Sequence, residues 1–287
     1  MEKREFVWLN GELMPLARAR VSVEDRGFLY GDGFFETLRA DDGRVHFLKE
    51  HLRRLQDSAR AFRINFPGDH PWEALIQKLL QANGLEQGPA RVKILLTRGV
   101  AEGLGLPEVS RPTVALWARA YEPPPPAAYA AGWPAVVFPQ GRTTFVGGHK
   151  SLNYLFYLAA RQYALDKGAR EAVILEANGR VSEGAVTSLL FSREGRYFTP
   201  DAASALPGVT LAVMGRALAR QGQQLEAVPT TPAQLGVAEG VWLLNSLMGV
   251  MPVSSLDGRP VPVSPVTSFL QEILVAESRL SLGAAKT

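Results

Sequence analysis

Cysteine is absent from this chain of 287 residues. Without a thiol the protein has no disulfide framework, no thiolate zinc site and no cysteine nucleophile. Histidine is scarce as well. The four histidines are His46, His51, His70 and His149. The closest pair, His46 and His51, is five residues apart, so its two side chains do not lie on one face of a helix. The sequence therefore predicts no metal site.

The chain also lacks a strong excess of one charge and a long hydrophobic run. Its 31 basic and 28 acidic residues are interspersed and give a formal net charge of +3, so a nucleic-acid partner is not expected. The charged start MEKREFVWLN has no apolar signal-peptide core, and the most apolar stretch, residues 241–253, is too short and too interrupted to span a bilayer. We therefore expect a cytoplasmic protein with no membrane partner.

The composition that is present favours a folded protein with more than one domain. A hydrophobic content of 46% suffices for a full core, and the length suits one large domain or two of ordinary size. The four consecutive prolines at 123–126 can continue neither a helix nor a central strand, so they predict a stiff, extended linker. We therefore expect a smaller N-terminal α+β domain over residues 1–121, a linker over 122–134 and a larger C-terminal domain over 135–287.

In the N-terminal half, hydrophobic periodicity and turn residues predict a mixture of strands and helices. Tight glycine-bearing turns are expected at Asp25–Gly27 and Gly31–Gly33, and the next strand returns as a hairpin at Asp41-Asp42-Gly43. Leucines at helical spacing predict an amphipathic helix after that hairpin. The predicted strands are 6–9, 21–23, 34–40, 90–97 and 113–120, and the predicted helices are 47–62 and 71–83.

The C-terminal half repeats this mixture. Gly168 ends one predicted helix, and Asn178-Gly179 predicts a hairpin turn. The predicted strands are 135–138, 171–176, those between 181 and 199, and 241–245, and the predicted helices are 151–167, 209–221 and 266–279. Because hairpin-type turns dominate, we predict two α+β domains with mostly antiparallel sheets and flanking helices. A dinucleotide fold is disfavoured, since no GxGxxG motif follows a strand and opens a helix.

Lys150, in the run GGHKSLNYL at 147–155, is the strongest candidate for a reactive residue. It lies where an extended segment turns into an apolar helix, with two glycines before it that allow a close approach of the backbone. A lysine forms an imine only from its neutral amine, so such a site lowers the pKa by desolvation or by a nearby positive charge. The ordinary alternative is a surface lysine.

Two further features would complete a site with Lys150. Glu183 lies in an otherwise apolar strand region, where it could pair with a protonated ring nitrogen, although a solvent-facing turn is an equal alternative. A helix that begins after Gly208 offers free amides for a phosphate, although a plain turn before a helix explains the same residues. An aldehyde anchor, a ring-nitrogen partner and a phosphate cradle are the three groups that pyridoxal 5′-phosphate requires.

Seven segments together resemble one protein family. They are DRGFLYGDGFFETLR at 25–39, HLRRL at 51–55, KILLTRG at 93–99, HKSLN at 149–153, EANGRVSEGAVTSLLF at 176–191, LPGVT at 206–210 and NSLMGVMPV at 245–253. In this order they are similar to the class IV aminotransferases, the fold-type IV pyridoxal phosphate enzymes. That family includes branched-chain aminotransferases, D-amino acid aminotransferases and aminodeoxychorismate lyases.

The resemblance implies roles for individual residues. Lys150 would hold the cofactor as a Schiff base and later move a proton, Glu183 would pair with the pyridine nitrogen, and Leu206 would pack on the ring. Asn153 matches a position near the ring hydroxyl, with helix capping as its alternative. The phosphate would be held by Arg54, by the amides of Val209 and Thr210 after Gly208, and by the hydroxyl of Ser246. The resemblance also implies that the larger domain binds the cofactor and that the protein is a homodimer.

The substrate is predicted from residues that vary within the family. NSLMGVMPV resembles the lyases more than the branched-chain enzymes. Arg98 matches an arginine that contacts a substrate carboxylate in lyases and D-amino acid aminotransferases, with an exposed strand end as its alternative. Two residues argue against these activities, Leu104 against the lyase and Phe28 against the D-amino acid enzyme. Leu104 stands where many lyases carry another arginine, and Phe28 replaces a tyrosine of the D-amino acid enzymes. Phe28 and Tyr30 are expected to contact the substrate.

We therefore expect an aminodeoxychorismate lyase, which forms 4-aminobenzoate and pyruvate from 4-amino-4-deoxychorismate in folate biosynthesis. The alternative is an aminotransferase acting on D-amino or branched-chain amino acids. A relative that binds the cofactor without catalysis is a third hypothesis. The presence of both Lys150 and Glu183 argues against it, because a pure binder has no need of both residues.

Overall fold

The computed structural model describes residues 5–108 and 111–283. Two compact units divide the chain. The first unit contains the described residues up to Pro123 together with His149–Asn153, and the second contains Pro124–Gly148 and Tyr154–Gly283. The short segment that carries Lys150 therefore belongs to the first unit, although it lies far along the sequence.

The described residues form fifteen strands and eight α-helices, together with two short 3-10 helices at Leu16–Arg18 and Phe145–Gly148. The strands are β1 Phe6–Leu9, β2 Glu12–Pro15, β3 Gly33–Asp41, β4 Arg44–Val45, β5 Pro89–Thr97, β6 Thr113–Ala120, β7 Trp133–Val137, β8 Glu171–Leu175, β9 Val181–Gly184, β10 Ser188–Arg193, β11 Arg196–Pro200, β12 Leu225–Val228, β13 Gly240–Asn245, β14 Gly249–Leu256 and β15 Arg259–Pro260. The helices are α1 Arg26–Tyr30, α2 Leu48–Ala61, α3 Trp72–Ala82, α4 Pro126–Ala131, α5 Leu155–Asp166, α6 Val209–Arg220, α7 Pro232–Gly236 and α8 Val266–Gly283.

The first unit is built on a six-stranded sheet in the order β2-β1-β6-β5-β3-β4, and all its pairings are antiparallel. Alternating residues of β5, among them Val92, Ile94 and Leu96, are buried and pack in one cluster with Leu55 of α2 and Leu79 of α3. The strand period of two and the helical period therefore turn their apolar faces to one core. The predicted hairpin at residues 41–43 joins β3 and β4, which confirms that prediction.

The chain between β2 and β3 differs from the prediction. No strand forms at 21–23, and α1 replaces the expected turn at Asp25–Gly27. The Asp25 side chain accepts from the Gly27 amide and caps the N-terminus of α1, while Gly31, at φ 66°, ends the helix in the left-handed region. Aspartate before a helix and glycine after it are the usual boundary signals, but one turn of helix is too short to show periodicity.

The second unit contains a nine-stranded sheet that combines both kinds of pairing. Its main path runs β12-β11-β10-β13-β14-β7-β8-β9, with β15 beside β14. Pairs β11–β12, β7–β14 and β7–β8 are parallel, and the other pairs are antiparallel. Asn178-Gly179 lies between β8 and β9, which pair antiparallel as the turn predicts. The mostly antiparallel α+β class expected from the sequence is confirmed.

Two local features add to the predicted elements. Residues 122–125 have no regular secondary structure, while Pro126 opens α4 and β7 begins at Trp133; the role of 122–134 as the domain linker stays a prediction. Proline is tolerated in the first helical turn because its missing N–H would have no partner there. The helix expected from residue 151 begins only at Leu155. The preceding residues, 151–154, are not helical, and Ser151 forms an isolated antiparallel bridge with Phe34, at the start of β3.

Two negative findings concern the same described residues, 5–108 and 111–283. No helix among them is both long and apolar enough to cross a membrane. Within these ranges no group of three or more histidine, aspartate or glutamate side chains is arranged to hold a metal ion.

Candidate functional site

The segment that carries Lys150 runs antiparallel to the start of β3. The amide of Phe35 donates to the carbonyl oxygen of Lys150 at 2.9 Å, and the amide of Leu152 donates to the carbonyl oxygen of Gly33 at 2.9 Å. A side chain at Gly33 would meet the Leu96 carbonyl and the Leu152 side chain, so glycine is required for this close approach. The backbone on both sides of Lys150 is thus fixed to the sheet of the first unit.

The amine of Lys150 lies beside an aromatic ring that it shares with a second lysine. Its Nζ atom is 4.7 Å from the ring centroid of Phe35, and the Nζ atom of Lys93 is 4.5 Å from the same centroid. Burial, and then the positive charge of Arg91, lower the pKa of Lys93. Both amines therefore lie close to the same aromatic ring.

His149, next to Lys150, connects this segment to α2. Its Nδ1 atom is 2.9 Å from the hydroxyl oxygen of Ser58. Its ring packs against Phe34 and Phe62, with centroids 5.9 and 5.0 Å away. Burial lowers the pKa of His149, which favours the neutral ring near pH 7. His149 therefore anchors the lysine segment without adding a positive charge.

Asn153 does not cap the helix that follows it. Its Nδ2 atom donates to the Gly31 carbonyl at 3.1 Å and to the Ser151 hydroxyl at 3.0 Å. The N-cap of α5 is Tyr154, which makes no side-chain capping bond. The capping alternative is therefore wrong. Asn153 instead holds the end of the lysine segment to Gly31, just before β3.

Arg54 of α2 lies in a charged group with His51 of the same helix and Glu36 of β3. Its Nε atom donates to Oε1 of Glu36 at 2.8 Å, and its Nη2 atom donates to Oε2 at 2.7 Å. The Nδ1 atom of His51 lies 2.6 Å from the same Oε2. Burial opposes the charge on Glu36, but Arg54 and His51 outweigh it and lower its pKa to about 2. Glu36 is thus ionised, and the guanidinium of Arg54 is held in a fixed plane.

The spacing along α2 explains why one helix supplies these contacts. His51, Arg54 and Ser58 are three and four residues apart, so they lie on one face of the helix. Two of them reach Glu36 of β3, and the third reaches His149. One helical face therefore positions both the predicted phosphate ligand and the segment that carries Lys150.

The structure excludes the exposed strand end as the alternative for Arg98, and a substrate contact by this residue stays a prediction. Its side chain is 0% exposed, so it is not an exposed strand end, and its five N–H groups are all used inside the first unit. A substrate carboxylate would have to displace one of these partners. The bonds are Nε to Asp32 Oδ2 at 2.7 Å, Nη2 to Asp32 Oδ1 at 3.0 Å and to Phe62 O at 2.8 Å, and Nη1 to Arg63 O at 3.0 Å and to Pro107 O at 2.9 Å.

Asp32 also accepts a hydrogen bond from a second arginine, Arg26. Arg26 and Arg98 together hold the glycine-rich loop after β5. Arg26 donates to Asp32 at 2.8 Å and to the carbonyl oxygens of Gly103 and Gly105 at 2.8 and 2.9 Å. Burial opposes the charge on Asp32, but the bonds from Arg98 and Arg26 lower its pKa. The arginine that the sequence assigned to a substrate is therefore part of a loop anchor.

Phe28 and Tyr30, the other predicted substrate contacts, lie on the short helix α1. Their exposed fractions are 74% and 53%, and the guanidinium of Arg26 lies 5.0 Å from the centroid of the Tyr30 ring. Leu104, in the anchored loop, is 91% exposed. A substrate contact by Phe28 or Tyr30 stays a prediction.

Glu183 lies on β9 in the second unit and is buried. The Tyr157 hydroxyl donates to its Oε1 atom at 2.7 Å, and the Leu206 amide donates to its Oε2 atom at 3.1 Å. A solvent-facing turn is therefore the wrong alternative for Glu183. Because two donors satisfy its two oxygens, a carboxylate is stabilised in this buried position.

Two tyrosines lie near this acid, Tyr154 at the N-cap of α5 and Tyr157 in its first turn. Burial, and then the negative charge of Glu183, raise the pKa of both Tyr154 and Tyr157, so both hydroxyls keep their protons. The two rings stack with centroids 5.0 Å apart, and the hydroxyl of Tyr154 donates to the carbonyl of Ala185 at 3.1 Å. Both hydroxyls are thus donors to the strand that carries Glu183 and to the residues after it.

The N-terminus of α6 follows Leu206 closely. Gly208 is the N-cap, and Val209 and Thr210 form the first turn, where their amides have no acceptor within the helix. A Cβ atom at Gly208 would overlap the hydroxyl of Ser188 on β10. Since Leu206 bonds to Glu183, the second unit brings the acid and this helix start together from distant positions in the sequence.

Ser246 lies in the tight turn between β13 and β14. The Asn245 side chain accepts from the amides of Leu247 and Met248 at 3.0 and 2.9 Å, which fixes the backbone on both sides of Ser246. The position of its hydroxyl is thus determined by an Asx turn. A phosphate contact by Ser246 stays a prediction.

Glu36, His51 and Tyr157 contact candidate site residues but were not predicted from the sequence. A signal existed for His51, which lies three residues before Arg54 on a predicted helix. Glu36 is an acid that directly follows two phenylalanines in β3, a feature similar to the one that singled out Glu183. Tyr157 carried no such signal, because a tyrosine on an apolar helix is usually explained by packing.

Comparison with known proteins gives consistent results. The family model described as "Amino-transferase class IV" matches residues 33–256. A Methanocaldococcus jannaschii protein provisionally named a branched-chain-amino-acid aminotransferase is 32% identical over 275 residues, covering 93% of this chain and 94% of its own. D-alanine aminotransferase of Staphylococcus haemolyticus is 31% identical over 276 residues, covering 93% and 95%. A solved branched-chain amino acid aminotransferase from Escherichia coli has a TM-score of 0.81 at 27% identity, covering 94% of this chain and 92% of that one.

Proposed function

Because the chain belongs to the class IV aminotransferase family, whose members use pyridoxal 5′-phosphate, we propose that it is an aminotransferase with branched-chain amino acids as its donors. Two relatives support transamination by their names, a branched-chain-amino-acid enzyme and a D-alanine enzyme. The observation that carries the donor class is the Lys150 amine 4.7 Å from the centre of the Phe35 ring. A donor whose amino group reaches Lys150 would bring its side chain close to an aromatic surface.

The residues of each unit fit the cofactor by their chemistry. In the first unit, Lys150 offers an amine on a fixed backbone, and Arg54 offers a guanidinium held in one plane. In the second unit, Glu183 is a buried carboxylate whose partners include an amide and a hydroxyl. The N-terminus of α6 presents amides at a glycine with no room for a side chain. These groups suit an aldehyde, a phosphate and a ring nitrogen.

We propose the following roles for these side chains. When bound, the cofactor supplies an electron sink that stabilises negative charge on the carbon bearing the amino group. Lys150 would hold the cofactor through its amine, and the same amine would accept and return the proton of the donor's amino-bearing carbon. Glu183 keeps the ring nitrogen protonated, and Tyr157 orients this acid. For the phosphate, Arg54 would offer donors from the first unit, and the amides of Val209 and Thr210 and the hydroxyl of Ser246 would offer donors from the second.

The state of Arg98 bears on the choice among family members. An arginine with all five donors occupied inside the protein offers no fork to a substrate carboxylate, and this removes one argument for the lyase and for the D-amino acid enzyme. Phe28, in place of the tyrosine of D-amino acid enzymes, counts in the same direction. Both points leave branched-chain donors as the favoured class.

An aminodeoxychorismate lyase is the second candidate, and one observation favours it. The segment NSLMGVMPV resembles that of the lyases. In this structure it forms the end of β13, the turn around Ser246 and the start of β14. A lyase needs no amino acceptor, whereas an aminotransferase stops after one half-reaction without a keto acid.

The experiment uses purified protein reconstituted with pyridoxal 5′-phosphate. L-leucine, L-valine, L-isoleucine and D-alanine are each supplied with 2-oxoglutarate, and 4-amino-4-deoxychorismate is supplied without an acceptor. Turnover of the branched-chain donors that depends strictly on the keto acid supports the proposal. Acceptor-free pyruvate from 4-amino-4-deoxychorismate, with no transfer from the amino acids, would establish the lyase instead.

Lys150→Ala tests both activities, because each of them requires the lysine amine. The variant should lose all turnover and the visible absorbance of the protein-bound imine, while its far-UV circular dichroism stays that of the wild type. Lys78→Met changes an exposed lysine of α3 and should keep both signals. Wild-type protein without the imine absorbance would refute both enzyme hypotheses.

A further inference from the structure

The ion pair between Glu36 and Arg54 lies in the core of the first unit, yet one partner is a predicted phosphate ligand. Glu36 is 0% exposed as a residue, and the side chain of Arg54 is 11% exposed. Pairs of this kind gain little net stability over apolar residues of the same size, because both charges lose their hydration. Their presence therefore calls for a reason besides stability.

The geometry of the pair restricts the arginine to one orientation. Glu36 accepts hydrogen bonds from Nε and Nη2 of Arg54 at 2.8 and 2.7 Å. These two atoms form one edge of the guanidinium. Because the guanidinium is planar, two parallel bonds along one edge fix both its plane and the direction of its other edge. An arginine on a helix surface would otherwise sample many rotamers, and binding an anion would require ordering it.

His51 fixes the carboxylate in turn. The Nδ1 atom of His51 lies 2.6 Å from Oε2 of Glu36, the oxygen that also accepts from Nη2 of Arg54. An ionised carboxylate can only accept, so the proton of this bond is on Nδ1 of His51. His51 is itself fully buried and precedes Arg54 by less than one helical turn. The three side chains thus form a chain of fixed orientations that ends at the guanidinium.

We propose that Glu36 and His51 are positioning residues that orient Arg54 for the cofactor phosphate, so that they set how strongly the protein prefers pyridoxal 5′-phosphate to unphosphorylated pyridoxal. This inference rests on the proposed function and on the assignment of Arg54 to the phosphate. In the proposed function other residues bind the ring and the aldehyde, so the binding of pyridoxal should be unaffected by changes at Glu36 or His51. A pair that only stabilised the core would alter the binding of both molecules or of neither.

The test is the ratio of the two dissociation constants, measured by titrating cofactor-free full-length protein with pyridoxal 5′-phosphate and with pyridoxal. Glu36→Gln and His51→Leu should each weaken pyridoxal 5′-phosphate by roughly tenfold to a hundredfold, the value of a lost charge-assisted hydrogen bond, and leave pyridoxal unchanged. His51→Asn retains a donor near the position of Nδ1 and should restore most of the preference. Glu73→Gln, at an exposed acid of α3, is the matched control and should keep the wild-type ratio.

Arg54→Met separates the different negative results. If Arg54→Met reduces the preference for pyridoxal 5′-phosphate over pyridoxal while Glu36→Gln and His51→Leu leave this preference unchanged, the positioning role is overturned and the proposed function stands. A ratio that even Arg54→Met does not change shows that Arg54 does not bind the phosphate, which also overturns the inference. Wild-type protein that binds neither molecule refutes the proposed function itself. If Glu36→Gln does not fold, the comparison of His51→Leu with His51→Asn decides the question.

Discussion

The hydroxyl of Tyr157 donates to Oε1 of Glu183 at 2.7 Å and so joins helix α5 to strand β9. Burial, and then the charge of Glu183, raise the pKa of Tyr157, so the bond persists over the whole range in which Glu183 is ionised. Tyr157→Phe would leave a buried carboxylate with one donor fewer. We expect its free energy of unfolding to fall by about 1–2 kcal/mol.

Urea unfolding of the cofactor-free protein, followed by circular dichroism, measures this loss. Tyr163→Phe is the control, since Tyr163 lies on the same helix and its ring packs against Phe138, at a centroid distance of 5.5 Å. Equal unfolding free energies for Tyr157→Phe and Tyr163→Phe would contradict a stabilising role of the bond to Glu183.

Arg98 should be more important for stability than for substrate binding. Arg98→Lys keeps the positive charge but supplies three donors without the planar fork, so at least two of its five acceptors lose their bonds. We expect the free energy of unfolding to fall by about 3 kcal/mol or more, because Asp32, whose side chain is only 10% exposed, loses part of its partner.

The control for Arg98 is Arg119→Lys, at an exposed arginine that pairs with Glu5 at 2.7 Å, and it should change stability little. A variant Arg98→Lys of nearly wild-type stability that nevertheless raised the KM of an amino donor severalfold would support a substrate role for Arg98 instead.

Glu36 should make the stability of the protein depend on pH in the acid range. Its pKa in the folded protein is about 2, against an ordinary value of 4.5. A lowered pKa stabilises the folded state fully above pH 4.5, and this stabilisation is lost as the pH falls through 2. The expected loss over this window is about 3 kcal/mol.

Chemical unfolding at a series of pH values from roughly 5 down to roughly 2 tests this prediction. In Glu36→Gln the acid branch of the stability curve should be flatter than in the wild type. Parallel curves for the two proteins would show that other carboxylates control the acid branch.

Gly208 should tolerate no side chain unless Ser188 is shortened. The Cβ atom of Gly208→Ala would overlap the Ser188 hydroxyl, which forces the start of α6 away from β10. We expect a loss of roughly 1–3 kcal/mol in the free energy of unfolding and weaker binding of pyridoxal 5′-phosphate. The double variant with Ser188→Ala should recover part of both.

A double-mutant cycle over Gly208 and Ser188, from thermal unfolding and cofactor titration, measures this recovery. Strictly additive effects would mean that the overlap is relieved in another way. Gly215→Ala, within α6, is the control, because its Cβ would meet Leu225 only at ordinary contact distances of 3.5 Å and more.

Elements with a repeated pattern could be predicted from the sequence. The apolar stripe of α2 and the alternation along β5 gave boundaries within one residue of those in the structure. Helix α1 could not be found in this way, because a single turn has no periodicity and only its capping residues identify it. The late start of α5 could not be found either, because it depends on the pairing of Ser151 with Phe34, distant in the sequence.

The site shows the same division. Lys150 and Glu183 could be proposed because an ionisable residue among apolar neighbours is conspicuous along the chain. The role of Arg98 could not be read in this way, because three of its partners are backbone carbonyls of residues 62, 63 and 107, which carry no side-chain signal. The choice of lyase over aminotransferase rested on a short segment and stays a prediction.

The sequence by itself determined the family, the cofactor and the class of fold, because motifs and periodic apolar residues express local chemistry that survives in a linear string. Only the tertiary structure decided which charged side chains satisfy one another. Hydrogen bonds and ion pairs form between residues that the fold brings within about 3 Å, regardless of their separation along the chain. That is why Glu36 became the partner of Arg54, and why Arg98 became an anchor for a loop.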